Sequence, residues 1–348
     1  MKKNSIAVIG RIAEGTELLD GQTVKTKVLF EELKKDFPDR NVICIDTYQY
    51  KKRIFSILFR TLKAFTECEY IFVLLSRNGR KFFFPILTGM NTFFHRKLYH
   101  DVVGGALPDE AEKSPMLVRQ LKRFAINWVE LPEMEQRLRK LGINNTEVLP
   151  NFKRLNILSV NELIYPRTEP FLFTMFSRVI KEKGIETAAE SIAEVNRRFG
   201  RRKAVLYIYG PIEESYRNAF LELLERFQDC VFYKGCVPFD QSVHVLKNSF
   251  MLLFPSVYQG EGMPGTIIDA FSAGIPVIAS DWHFNGRLVH EGSTGYCYDW
   301  RNTELLTERI CYAVEHPDEI FQMKKKCLQE AEKYTPEAVM KQISRYIL

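Results

Sequence analysis

Glu261 stands in a Gly/Pro loop, and seven residues separate it from a second acid, Asp269, in the run EGMPGTIIDAFSAGIPVIASD that ends at Asp281. The order reads as a loop, a helix start and a buried strand. Gly262 and Gly265 let backbone approach a ligand closely, and Pro264, next to Met263, stiffens the turn. Amide groups at Thr266 and its neighbours would open a helix towards an anion, where the dipole favours negative charge. Glu261 and Asp269 can accept hydrogen bonds from hydroxyls on either side of that anion. An anion flanked by two polyols describes a nucleotide sugar.

A second group precedes the first in the chain. Phe176-Ser177-Arg178-Val179-Ile180-Lys181-Glu182-Lys183-Gly184 follows an apolar strand and leads into a helix. Arg178 and Lys183 at a strand's C-terminal end would neutralise and hold a leaving diphosphate. On charge alone a solvated surface loop explains them as well. Their position ahead of the Glu261 segment favours the cation clamp.

These two segments resemble family 4 retaining glycosyltransferases, the glycosyl transferases group 1. The run from Glu261 to Asp269 is similar to the E-x7-E signature, with Asp in place of the second Glu. The run from Ser177 to Gly184 is similar to G-R-(apolar)-x-x-x-K-G, with Ser177 in place of Gly. The resemblance implies an α/β GT-B fold, two Rossmann-like domains facing a cleft. It implies that Arg178 and Lys183 clamp the donor diphosphate, that Glu261 contacts the donor sugar and that Asp269 holds the ribose. Gly210, after a strand, and Gly235 and Val237 are weaker matches, the last two lying against the nucleobase in the family. Gly21 and Gln22, in Asp20-Gly21-Gln22-Thr23, correspond to a loop that approaches the donor phosphate, although an ordinary capped helix start explains them equally. The family places a polar cleft residue where His100 ends a strand, and Asp101 would orient it or serve as base. The other five histidines read as structural.

Two stretches stay open. Asp281–Gly286 supplies aromatic and amide groups for a sugar wall or for a packed loop, with packing favoured. Lys51–Lys63 is basic and aromatic, with Ile54, Phe55, Leu58 and Leu62 on one helical face. It fits a core-packing helix with a basic edge, or an interfacial helix on anionic lipid.

Composition narrows the class. With 348 residues, 46% hydrophobic and 26% charged, the chain can build about two globular domains. The net charge of +6 suits anionic donors and membrane surfaces without implying nucleic acid. Seven cysteines, odd in number and without C-x-x-C, read as cytosolic thiols. The N-terminal apolar run is broken by Gly10-Arg11 and reads as a first strand, not a signal peptide. No apolar run reaches the roughly 18 residues of a membrane span. There is no P-loop, no G-x-G-x-x-G after the first strand, no D-x-D and no metal-ligand spacing, so neither cofactor nor metal is expected.

Strands must carry these loops. Candidates are Ser5–Gly10, Asn41–Asp46, Tyr70–Ser76, Lys97–Val103 and Asn127–Glu130. A second series comprises Phe171–Phe176, Ala204–Tyr209, Val231–Tyr233, Phe250–Phe254 and Pro276–Ser280. Helical patterns alternate with them, which implies parallel sheets. The expected division is an acceptor-binding domain over residues 1–155, a nucleotide-sugar domain over 156–334, and a helix over 335–348 crossing back to the first. The resulting expectation is a retaining, metal-independent hexosyltransferase. Its donor would be UDP- or GDP-linked and its acceptor a glycan or lipid-linked glycan, as in bacterial surface polysaccharide assembly, at the inner face of the plasma membrane. A GT-B sugar-nucleotide epimerase and a non-catalytic partner subunit are the alternatives.

Overall fold

The structure, a computed structural model, describes residues 5–15, 21–154 and 156–347. It divides into two compact units, Met1–Arg154 with Pro336–Leu348, and Leu155–Thr335. The Asp20 cap position lies outside the described residues.

The first unit alternates strand and helix: β1 (Ser5–Gly10), α1 (Gly21–Asp36), β2 (Asn41–Asp46), α2 (Tyr50–Glu67), β3 (Tyr70–Leu74), α3 (Arg77–Phe94), β4 (Lys97–Asp101), α4 (Leu107–Glu112), α5 (Pro115–Leu121), β5 (Ile126–Val129), α6 (Pro132–Lys140) and β6 (Thr146–Val148). The sheet is parallel, in the order β2-β1-β3-β4-β5-β6. Ile6–Ile9 of β1 and Ile71–Leu74 of β3 are wholly buried, as strands covered on both faces must be.

The second unit repeats the plan with β7 (Phe171–Phe176), α7 (Ile185–Phe199), β8 (Ala204–Tyr209), α8 (Arg217–Arg226), β9 (Val231–Tyr233), α9 (Ser242–Leu246), β10 (Met251–Phe254), α10 (Gly265–Ser272), β11 (Val277–Ser280), α11 (Asn285–Leu288), β12 (Gly295–Tyr298), α12 (Glu304–Glu315) and α13 (Pro317–Ala331). Its parallel sheet runs β12-β11-β10-β7-β8-β9. A last helix, α14 (Pro336–Ile343), belongs to the first unit. Beyond it, Tyr346 packs edge-on against Tyr99 and Trp128.

Two strands escape the sequence pattern, β6 and β12. Both are sheet edges of three and four residues, too short to display a period. The helix over Lys51–Lys63 also differs from expectation. α2 buries Ile57, Thr61, Ala64 and Phe65, while Phe55, Phe59 and Leu62 are exposed. Of the expected apolar face, Ile54 and Leu58 are half-buried, whereas Phe55 and Leu62 are exposed.

All seven cysteines are free thiols. Among the described residues no cluster of His, Cys, Asp or Glu is placed to hold a metal ion, and no helix is long and apolar enough to cross a membrane.

Candidate functional site

In the second unit β7 lies between β8 and β10, so the strand order reverses there. Loops leaving the C-terminal ends of β7 and β10 diverge at such a point, and this is where open α/β sheets bind ligands. The β7 loop carries Ser177, Arg178 and Lys183; the β10 loop carries Ser256, Tyr258 and Glu261.

Two glycines allow the loops to meet. Gly184 ends the β7 loop with φ 73° and starts α7; a Cβ there would stand 2.3 Å from the Pro255 carbonyl oxygen. Gly210, φ 133°, follows β8; a Cβ there would stand 1.9 Å from the Ser177 carbonyl oxygen. Neither position accepts a side chain without moving backbone. The Val257 amide donates to the Glu182 carbonyl at 2.8 Å, stitching the loops together.

Across this seam Lys183 Nζ donates to Glu261 Oε1 in a short ion pair. Ser256 Oγ donates to the same oxygen at 2.9 Å. Both charged side chains are about nine-tenths buried, 11% and 9% exposed. Lys183 Nζ lies 5.3 Å from the Tyr258 ring centre and 5.4 Å from that of Phe254. Exposed Arg178 lies 5.4 Å from the Tyr258 ring. One aromatic ring thus shares both cations, placing them side by side.

The β10 loop is braced from behind. Ser280 Oγ and Asn285 Nδ2 donate to the Ser256 carbonyl at 2.6 and 3.1 Å, and Trp282 Nε1 donates to the Tyr258 carbonyl at 3.2 Å. Asn285 is fully buried. Within Asp281–Gly286 these two side chains therefore fasten the loop that carries Glu261.

Pro264 occupies the N-cap of α10 and has no side-chain group with which to cap it. Thr266 Oγ1 donates to the Phe176 carbonyl, which ties the start of α10 to the end of β7. Asp269 is buried on the next turn, and Gly262 and Met263 are buried in the loop before it. Gly262 and Gly265 are not among the positive-φ glycines, which in the loops around this site include Gly184, Gly210 and Gly235. At the ends of β8 and β9 the Gly210 amide donates to the Gly235 carbonyl at 2.9 Å, and Tyr233 Oη donates to the Gly210 carbonyl at 2.9 Å. Val237 is half-buried two residues on.

The remaining candidates belong to the first unit. Gly21 opens α1, and Gln22 Nε2 donates to the Leu74 carbonyl at 3.0 Å, tying the helix start to the end of β3. His100 requires correction as a cleft residue. It is fully buried on β4, edge-on to Phe84 with ring centres 4.8 Å apart. Its Nδ1 lies 3.0 Å from Asn127 Oδ1. The Asn127 amide nitrogen donates to the carbonyls of Leu121 and Asn145, so Oδ1 is the acceptor and Nδ1 carries hydrogen. Burial lowers the imidazole to about 3, so the ring stays neutral. Asp101 cannot orient it, because successive strand residues face opposite ways. Asp101 pairs instead with buried Lys25 at 2.6 Å, and burial raises its carboxyl to about 6.

Sequence reading passed over Ser256 and Tyr258. Their only signal was position, five and three residues before Glu261.

Residues 164–334, which contain this whole constellation, match the family described as Glycosyl transferases group 1. They belong to the glycosyl transferases group 1 family. The amylovoran biosynthesis glycosyltransferase AmsK of Erwinia amylovora is 23% identical to this chain over 132 residues, covering 37% of the chain and 32% of AmsK. The match thus takes in about a third of that relative. Among solved structures, Anabaena HepE in complex with UDP superposes with a TM-score of 0.78 at 14% identity, covering 99% of both chains. The lipopolysaccharide outer core galactosyltransferase WaaB superposes with a TM-score of 0.72 at 16% identity, also covering 99% of both. The architecture is α/β, of the GT-B type.

Proposed function

We propose that the chain is a retaining glycosyltransferase that moves a hexose from a nucleotide sugar to a glycan or lipid-linked glycan. The observation that carries this reading is the Lys183–Glu261 pair beside Arg178 at the β7/β10 switch point. Two cations at strand ends suit a diphosphate, and the adjoining carboxylate suits sugar hydroxyls. Names among the relatives support the choice of substrates: HepE was solved with UDP-glucose, WaaB is a galactosyltransferase, and AmsK acts in amylovoran biosynthesis.

In this reading Arg178, Lys183 and the start of α10 at Gly265-Thr266 stabilise the departing diphosphate. Glu261 orients the sugar, Asp269 holds the ribose, and Gly235 and Val237 lie against the base. Gly210 keeps the clamp loop in place by admitting the Ser177 carbonyl. The acceptor hydroxyl attacks from the leaving-group face, and the leaving phosphate takes its proton, so configuration is retained. The cations and the helix dipole replace a metal ion. The first unit binds the acceptor.

We place the enzyme at the cytoplasmic face of a membrane. Phe55, Phe59 and Leu62 form an exposed stripe on α2 among Lys51, Lys52, Arg53 and Lys63. An apolar stripe edged with cations suits anionic lipid.

A thermal-shift screen against UDP, GDP, ADP, CMP and their common sugars tests the donor site. A ligand at 100 times its Kd adds about 2.7 kcal/mol, or roughly 5–10 °C for a unit of this size. The expected result is a shift with one nucleotide family that Arg178→Ala weakens. Absence of any shift would overturn the transferase reading in favour of a non-catalytic subunit.

A further inference from the structure

The first unit has its own switch point, between β1 and β3, because β1 lies between β2 and β3. A cavity of about 420 Å³ opens there, at the C-terminal ends of all three strands. That volume is ordinary for a small-molecule site, roughly 300–1,000 Å³. Among the described residues its lining includes Arg11, Lys51 and Lys52, with Tyr48, Ser76 and Asn78, and no acidic residue. Arg11 is oriented by its Nε, which donates to Thr23 Oγ1 at 3.0 Å. The neighbouring acid, Asp46, is spent on backbone. Its carboxylate accepts from the amides of Ile12, Glu14 and Tyr48 at 3.0, 3.3 and 2.9 Å, which holds two rim loops in place.

A long helix, α3, adds to the field, whereas α2 leaves helical geometry at Arg53 after its opening turn. The first turns of α2 and α3 line the cavity with Lys51, Lys52, Asn78 and Gly79. Neither N-cap residue, Gln49 or Ser76, makes a side-chain cap hydrogen bond. The positive dipole end of α3 therefore reinforces three cationic side chains. Such a cavity selects an anion whose charge is concentrated on oxygens.

We infer that this cavity binds a phosphate or pyrophosphate group carried by the acceptor, with room left for the sugar next to it. The inference deepens the transferase reading by giving the acceptor a chemical class, a phosphorylated glycan carrier, and rests on that reading for its role. The charge could arrive on a lipid or on a soluble sugar phosphate. α2 runs from the rim into the exposed Phe55, Phe59 and Leu62 stripe, which is continuous with a lipid-borne source.

Calorimetric titration of the full chain with inorganic pyrophosphate tests it, using Arg178→Gln/Lys183→Gln to silence the donor clamp. Binding should survive in that background and weaken at least about tenfold when Arg11→Gln and Lys52→Gln are added. Lys51→Gln with Lys52→Gln is the second variant, since neither lysine is buried. Binding unchanged in both variants, or no binding in the clamp-silenced chain, would overturn the inference. UDP binding by a chain with only Arg11→Gln/Lys52→Gln should stay at the wild-type value. Its absence from the wild-type chain would be a failure of the donor reading and leaves the pyrophosphate result standing. Glycerol phosphate competing with pyrophosphate marks a soluble source. Retention on phosphatidate vesicles but not phosphatidylcholine vesicles, lost with the same two substitutions, marks a lipid source.

Discussion

Lys183→Ala separates a structural lysine from a donor-binding one, because the structure supplies a matched control. Lys183 is 11% exposed, paired with a carboxylate and set near two rings, Tyr258 and Phe254. Lys203 in the same unit is also 11% exposed, bonded to Glu169 at 2.6 Å and set near Phe171 and Phe199. Lys203 immediately precedes β8, at the sheet's other end, away from the switch point. Breaking a fully buried pair by removing one partner costs about 3–5 kcal/mol. At Lys183 the residual exposure and the surviving Ser256–Glu261 bond bring this to about 2–3 kcal/mol. Lys203→Ala should cost no more, because Glu169 is a third exposed and also bonded to Arg201. The melting temperature should fall by roughly 5–10 °C for Lys183→Ala and less for Lys203→Ala. Turnover should divide the two. Loss of a preorganised charge facing the leaving group removes about 2–4 kcal/mol of transition-state stabilisation, roughly 30- to 1,000-fold in kcat/KM. Lys203→Ala should keep wild-type kcat/KM at temperatures below its transition. Steady-state kinetics with the donor identified by thermal shift reads this out. A Lys183→Ala enzyme within about threefold of wild type, or an equal loss in Lys203→Ala, would refute the clamp.

Gly210→Ala forces a Cβ against the Ser177 carbonyl, and Gly184→Ala forces one against the Pro255 carbonyl; each should destabilise by more than about 2 kcal/mol in urea unfolding, with donor binding lost. Asn285→Ala removes donors to the Ser256 carbonyl and to Ser280 Oγ; nucleotide affinity should fall about tenfold in calorimetry without any direct contact to ligand. His100 gives a pH signature. Its folded value, about 3, lies below the unfolded 6.5, so the unfolded chain takes up a proton that the folded chain refuses. Its stabilising contribution is complete above about 6.5 and is lost as pH falls towards 3. Between pH 6.5 and 5 the loss is about 1.6 kcal/mol, and His100→Gln should flatten that part of the stability–pH curve.

Sequence alone determined the α/β alternation and the two loops that carry charge. The buried strands announce themselves because parallel strands covered on both faces need unbroken apolar runs, as Ile6–Ile9 and Val277–Ala279 show. Arg178, Lys183 and Glu261 stood out as candidates through the resemblance of their segments to the glycosyltransferase motifs, with Gly262, Pro264 and Gly265 marking the loop beside Glu261. Tertiary structure decided which groups touch. Lys183 and Glu261 are 78 positions apart and meet only because β7 and β10 are neighbours at the strand-order reversal. Ser256, Tyr258 and Asn285 gained their roles from that adjacency, which no local spacing records. His100 lost its expected role for the same kind of reason: a side chain one step along a strand turns to the opposite face, and that face is filled by Phe84 and Phe124. Local chemistry is written in the order of residues, whereas partners and burial depend on how sheets and helices close around them.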